Sequence, residues 1–297
     1  MSLAMTCILA ASMSLPGAAV PYEPEERGGP GEPGGPGARH VTCDLIVPSR
    51  QLAAGSTTII GVRFRIAPEW HLYWNGQNDS GAAPTLDFSG SDPRLTFGAA
   101  LWPVPKRHVA EGDIVDHIYR GECVLLVPLT VEKGIGGPVA IKVRSEILVC
   151  REACLPGRVG ATANVDVGVQ AGPRGPGATT LDEATAALPL PMRSDTPFDA
   201  RIDEGALIVE PQQGRRLSRL TFMPGPGCEA TTLHPDCESR AEGDASPRLS
   251  VTLVSGGATG IMQCEDVSGA VTNWRVELKG RERPASPAKE GESDSSK

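Results

Sequence analysis

The chain has 297 residues, 40% of them hydrophobic, with 35 Gly, 27 Pro, 8 Cys and a formal net charge of -8. That length suits about two domains, and the apolar content permits an ordinary core. An acidic balance with no basic block excludes the electrostatic footprint of a nucleic-acid binder and reads as solubility.

Residues 1–20 have the outline of a secretory signal peptide. Leu3 to Leu15 is mostly apolar or small, and Pro16-Gly17-Ala18-Ala19 resembles a cleavage region, although no Lys or Arg precedes the apolar stretch. Cys7 sits too early for a lipoprotein cysteine. Its removal would leave 7 of the 8 cysteines, an odd number, so at least one is unpaired or pairs between chains. No later stretch reaches the roughly 18 apolar residues of a membrane helix, so the mature protein is expected to be exported and soluble. Residues 21–40 are rich in Gly and Pro without an apolar period, which predicts a disordered tether.

From Val41 to about residue 170 the pattern is β. The segment 57–66 ends in an apolar/basic alternation, and 124–131, 139–149 and 158–169 are β-rich. Trp70-His71-Leu72-Tyr73-Trp74 places Trp70, Leu72 and Trp74 on one face and His71 and Tyr73 on the other. Short strands separated by Gly, Pro and Asp clusters predict an antiparallel β-sandwich. The eight aromatic residues between Phe64 and Tyr119, of twelve in the chain, place the larger core here. Cys123 falls on an apolar face with Leu125, Val127 and Leu129. A buried free thiol is the usual reading of such a position, and pairing with Cys43 is the alternative.

Cys150-Arg151-Glu152-Ala153-Cys154 follows the apolar run Ile147-Leu148-Val149 and precedes Leu155-Pro156-Gly157. In a hairpin with a three-residue loop the flanking residues oppose each other, with Cβ atoms about 4.5–5.5 Å apart, close to disulfide range. Such a ring at a sheet edge is of the labile type; a staple or two free thiols are the bland alternatives. Pro156 cannot donate to a ladder, so the Cys154 side should be the looser edge and its sulfur the more exposed. Arg151 would lower a neighbouring thiol pKa and Glu152 would raise it, and the sequence leaves open which dominates. His71, if near, could donate a proton to a leaving thiolate; otherwise it is a half-exposed strand histidine.

Residues 171–195 read as a hinge, with one short helix over 181–188 before Pro189. A second, smaller β-rich domain follows over 196–281, with strands expected at 206–209, 217–222, 249–254 and 274–278. Cys228 and Cys237 bracket a loop rich in Pro, Thr and His, where pairing would give a structural staple worth about 2–4 kcal/mol. Cys264 then lacks a partner in this domain. Residues 282–297 read as a disordered tail. His71, His108 and His117 lack a recognisable ligand spacing, so no metal and no cofactor are expected.

The ordered set Trp70–Trp74, Gly81, Pro84, Leu101-Trp102-Pro103-Val104-Pro105, Tyr119-Arg120-Gly121-Glu122, Val127-Pro128-Leu129 and the C-x-x-x-C with Pro156 resembles the N-terminal periplasmic domain of DsbD-type thiol:disulfide interchange proteins. The resemblance leans to the ScsB-like branch and covers about residues 41–170. Leu220-Thr221-Phe222-Met223-Pro224 weakly resembles the accessory β-domain of that branch. The resemblance implies an immunoglobulin-like sandwich whose cysteine pair, here Cys150 and Cys154, takes electrons from a thioredoxin-like donor. It would pass them to acceptors in the envelope, with cytochrome c assembly among the family's routes. His71 and Tyr73 would stand where the family has active-site tyrosines. The family's shielding cap loop would match residues 108–117, with Ile114 and Val115 at its tip and no aromatic residue. The family's membrane and thioredoxin-like domains have no counterpart here, so either a separate chain would supply the electrons or the relay role has been lost. The rival expectation is a non-catalytic sandwich that binds envelope proteins, and more distantly a copper-binding protein.

Overall fold

The computed structural model describes residues 34–279, apart from 244, 255 and 256. The expected signal peptide, residues 21–33 of the expected tether and the expected tail at 282–297 lie outside the described residues. Residues 34–40 of that tether are not free. Gly34 bridges Arg158, and a 3-10 turn at Pro36–Arg39 lies against the backbone of Leu155 and Pro156. A Cβ on Gly37 would sit 2.5 Å from the Leu155 carbonyl oxygen, so only glycine allows this approach.

The first domain is an immunoglobulin-like β-sandwich. One sheet has β1 (Val41–Ile46), β3 (Thr57–Ile66), β8 (Glu122–Val131) and β5 (Leu95–Phe97), in that order; the other has β2 (Gln51–Ala53), β10 (Cys154–Gly168) and β9 (Gly137–Cys150). Period-two burial in β9 turns Val139, Ile141, Val143, Ile147 and Val149 inward to meet Phe64, Leu125 and Val127 of the facing sheet. A third, small sheet of β4 (Leu72–Tyr73), β7 (Val115–Tyr119) and β6 (Lys106–Val109) lies beside the sandwich.

The expected hinge is instead a docked element. Helix α1 runs over Gly177–Ala186, four residues earlier than the apolar run at 181–188 suggested, because Pro176 is well suited to a helix entrance. Leu181 and Ala184 pack on Ile46, Val124 and Leu126, on the outer face of the first sheet. Gly61 makes room: a Cβ there would lie 3.0 Å from both Leu181 and Val124.

The second domain also pairs two sheets. β11 (Leu190–Pro191), β18 (Val271–Leu278), β17 (Ala258–Asp266), β14 (Leu217–Pro224) and β15 (Glu238–Arg240) form one; β12 (Phe198–Asp203), β13 (Ala206–Pro211) and β16 (Leu249–Thr252) form the other. Phe198, Leu207, Leu220, Phe222 and Val251 fill its core. Strand β17 gave no sequence signal: Ala258-Thr259-Gly260-Ile261-Met262 lacks both alternation and a β-branched run, and burial between two neighbours makes it a strand.

Candidate functional site: the disulfide at the end of β9 and β10

Strands β9 and β10 form a long antiparallel hairpin in which Cys150 and Cys154 are direct partners. Their Cα atoms are 4.1 Å apart and the sulfurs are bonded. The two sulfurs differ in access. His71 closes the far side of Cys150 by two backbone bonds, His71 N–H to Cys150 O at 2.9 Å and Cys150 N–H to His71 O at 3.0 Å. Tyr73, Ile118 and Leu148 pack around it, and Cys150 is 3% exposed. Cys154 is exposed.

The face separation expected in Trp70–Trp74 holds, but both faces are covered. Trp70, Leu72 and Trp74 join the sandwich core, while His71 and Tyr73 turn to the disulfide. His71 is therefore buried, at 6% exposure, and not a half-exposed strand residue. The Tyr73 hydroxyl lies 3.7 Å from Cys154 Sγ, and His71 Nε2 lies 3.3 Å from that hydroxyl. Burial, reinforced by Arg120 and His108 and opposed by Asp116, lowers the His71 pKa to about 4. Burial also raises the Tyr73 pKa.

Residues whose contacts local sequence did not reveal hold this corner together. Gly81, at φ +69°, faces the Tyr73 ring so closely that a Cβ would come within 2.1 Å of it. Ser80 donates its backbone N–H and its hydroxyl to the Asp116 carboxylate, at 2.9 and 2.7 Å. Asp79 accepts from Val115 N–H and Asn78 from His117 N–H, each at 2.7 Å. The run Asn78-Asp79-Ser80 is a loop signal, but its partners lie 36–39 residues away.

Arg151 and Glu152 sit in the hairpin loop. Arg151 is tied up: its guanidinium lies 5.6 Å from the Trp70 ring centre, 3.4 Å from Glu69 and 3.9 Å from Glu152. Trp70 stacks on His40 from the N-terminal segment, with ring centres 3.9 Å apart. Glu152 is open to solvent.

The expected cap is built differently. Residues 108–117 fall in the β6–β7 hairpin, where Ile114 is exposed and Val115 is fully buried within the core of the second domain. Alternation along β7 sends Val115 into that domain and Ile118 to Cys150. The apolar cover of Cys150 is thus Tyr73, Ile118 and Leu148, and the hairpin is an anchor between domains. Arg107 bonds Glu238 at 3.3 Å, and Gln77 exchanges two hydrogen bonds with Ala230, at 2.9 and 2.8 Å.

Cys123 is the buried free thiol expected, and the Cys228–Cys237 staple is corrected. Cys43 and Cys123 cannot pair, because both are register partners of Phe64 on opposite sides of β3; two strand spacings, about 9–10 Å, exceed disulfide reach. Cys228 and Cys237 are free and buried, not a staple. Cys237 Sγ instead donates to Thr232 O at 3.6 Å, and both sulfurs belong to the apolar core. Cys264 is likewise free and buried. Among the described residues no group of three or more His, Cys, Asp or Glu is arranged to hold a metal ion, and no helix is long and apolar enough to cross a membrane.

The described residues are nearly all β, and a half-exposed disulfide joins neighbouring strands of a sandwich domain. Residues 44–165, which include both cysteines, match the family described as thiol:disulfide interchange protein DsbD, N-terminal. The crystal structure of the N-terminal periplasmic domain of ScsB from Proteus mirabilis is similar over 81% of this chain and 92% of that one, at 14% identity and a TM-score of 0.49. The Neisseria meningitidis DsbD N-terminal domain in its reduced form is similar over 47% of this chain and 90% of that one, at 19% identity and a TM-score of 0.27. The likeness to this family rests on the match over 44–165. No curated relative matches the chain.

Proposed function

We propose that the chain is an exported thiol:disulfide exchange protein in which Cys154 is the sulfur that meets partners and Cys150 is the resolving sulfur. The observation that carries this reading is the unequal access of one bonded pair: Cys154 is exposed while Cys150 is 3% exposed. A donor thiolate attacks Cys154 Sγ, the Cys150–Cys154 bond breaks, and the electron pair leaves on Cys150. The donor's second thiolate then attacks the donor sulfur, releasing Cys154 as a thiolate. The donor is oxidised and the pair is reduced by two electrons. In the return half, Cys154 attacks an acceptor disulfide and Cys150 resolves the mixed disulfide. A thioredoxin-like dithiol suits the donor role, and disulfide-bearing envelope proteins suit the acceptor role.

A redox titration of the folded protein tests the reading. We expect reversible reduction with a potential above about -300 mV, the range of non-structural disulfides. A pair that resists dithiol reduction would leave a non-catalytic interaction module. The polarity is tested by trapping: Cys150→Ser should accumulate a mixed disulfide through Cys154, and Cys154→Ser should accumulate far less. Equal trapping by both variants would overturn the assignment.

A further inference from the structure

We propose that Gly34 to His40 form a strap that holds the Cys154 arm of the redox hairpin, and that this hold sets the redox equilibrium of the Cys150–Cys154 pair. The inference rests on the exchange reading above and names what fixes the poise of that site. The strap precedes the segment matched by the family, which begins at residue 44.

The two arms of the hairpin are held in different ways. Cys150 is fixed by apolar packing and by its two backbone bonds to His71. Cys154 is exposed and starts β10, with β9 on one side. On the other side β2 reaches only Asp166 to Gly168. Pro156 has no N–H to offer a second ladder there. The strap fills that side instead. Gly34 donates its N–H to Arg158 O at 3.0 Å and accepts from Arg158 N–H at 2.8 Å. Strap and strand then meet backbone to backbone. A Cβ on Gly37 would lie 2.5 Å from Leu155 O, and a Cβ on Gly157 would lie 2.6 Å from Ala38 N. Ala38 packs against the sandwich core. At the end of the strap, His40 O accepts from Ala67 N–H at 2.8 Å, and its ring stacks on Trp70 with planes 15° apart. Trp70 also carries the Arg151 guanidinium of the hairpin loop, 5.6 Å from its ring centre. The strap therefore grips the hairpin at the start of β10 and, through Trp70, at the loop.

The consequence falls on the reduced state. With the bond open, Cys150 stays where its packing holds it. How often Cys154 meets it depends on how far the other arm can swing. A held arm gives each thiol a high effective concentration toward the other and favours the disulfide. A freed arm lowers that concentration and shifts the pair toward the dithiol, which makes it more oxidising. In a glutathione redox buffer the step balances. Two glutathione thiols give up two electrons and two protons and close to their own disulfide, while the Cys150–Cys154 bond opens to two thiols. The strap acts on the arm, and the sulfurs carry the chemistry.

The test is the equilibrium of the full chain in glutathione redox buffers, with the oxidised fraction read by alkylation and mass spectrometry. Gly37→Ala and Gly157→Ala push a Cβ into the same contact from opposite sides. Each should lower the equilibrium constant for disulfide formation about tenfold, a rise in potential of about 30 mV. The two together should do little more than either alone, because they break one contact. His40→Ala removes the ring over Trp70 and should lower the constant about threefold, whereas His40→Phe keeps a ring there and should stay within about twofold of the parent. Deuterium exchange at the Arg158 amide reports whether the strap has lifted. An unchanged equilibrium constant in a variant whose Arg158 amide has lost protection overturns the strap's role and leaves the exchange reading standing. A parent pair that never cycles overturns the exchange reading and the inference with it. If both alanine variants keep the Arg158 amide protected, deletion of residues 34–40 decides: a constant equal to the parent's overturns the inference.

Discussion

The two domains each hold a pair of nearby cysteines, and the pairs have opposite fates. Cys150 and Cys154 are bonded across the end of a hairpin, with one sulfur in solvent. Cys228 and Cys237 bracket a loop of the second domain and remain free, at 5% and 1% exposure. Spacing does not separate the cases, because both invite pairing. Position does: a register partnership at the open end of a sheet sets one pair in contact at the surface, and an apolar core encloses the other. Burial also pushes the Cys237 thiol up to about 12 and raises that of Cys228, so both stay protonated and are poor nucleophiles at neutral pH.

The largest expected effect is therefore a labelling contrast. In the reduced, folded protein a short iodoacetamide pulse should modify exposed Cys154 about 1,000-fold faster than Cys237, since the rise of Cys237 from 9.0 to about 12 removes about that factor of its thiolate. Peptide mass spectrometry reads both sites in one sample. Comparable rates would mean that the second pair is as available as the first, and the contrast between the domains would fail.

A second test concerns the strand that joins the two regions. Val115 is fully buried in the second domain, whereas its neighbour Ile114 is 42% exposed. Val115→Asp places an unpaired carboxylate in an apolar core and should cost about 3–5 kcal/mol by urea denaturation. Ile114→Asp should stay within about 0.5 kcal/mol. Equal costs would remove Val115 from its place as the anchor.

That pair of residues also marks the limit of what the sequence could say. Local alternation was legible in β3, β8, β9 and β10, and the Cys150–Cys154 register follows from a three-residue loop between two strands. The opposite faces of His71 and Leu72 were legible for the same reason. What lay behind the His71 face was not, because Asp116, Ser80 and Gly81 reach it through contacts between distant segments. The resemblance supplied a cap over the cysteines, but this hairpin also contacts a second domain, and Val115 follows the larger apolar surface. The staple expected between Cys228 and Cys237 follows from a loop rich in Pro, Thr and His, which displays no core of its own. Phe222, Leu233, Val251 and Trp274 supply it from elements whose packing no local pattern displays.

The pH dependence of stability sharpens the comparison from the side of the domain boundary. His117 is 1% exposed, donates Nδ1–H to Gln77 O at 2.8 Å, and has its pKa lowered from 6.5 to about 4, chiefly by burial. Between about pH 6.5 and pH 4 the unfolded chain binds a proton that the folded chain does not. Stability is thus fully present above that window and falls as pH drops through it. The loss for His117 should approach roughly 3 kcal/mol by pH 4. His71 acts in the same direction. His117→Gln should flatten the urea midpoint between pH 6.5 and 4; a slope identical to the parent's would show that the folded protein admits the proton.

The smallest effect is expected at Arg151, the charge nearest in sequence to the exchanging sulfur. A cation beside a thiol lowers its pKa, so the simple expectation is a large loss in Arg151→Ala. The geometry argues otherwise. The guanidinium is 45% exposed, and it is shared between the Trp70 face, Glu69 and Glu152. Exposed ion pairs and exposed cation–π contacts each contribute about 1 kcal/mol or less, and the two carboxylates offset the positive potential reaching Cys154. Arg151→Ala should therefore change the Cys154 alkylation rate by less than about threefold at low salt, and by less still at about 0.5 M salt, where screening shortens the reach of exposed charges. A tenfold loss that survives high salt would place Arg151 in direct charge of the sulfur.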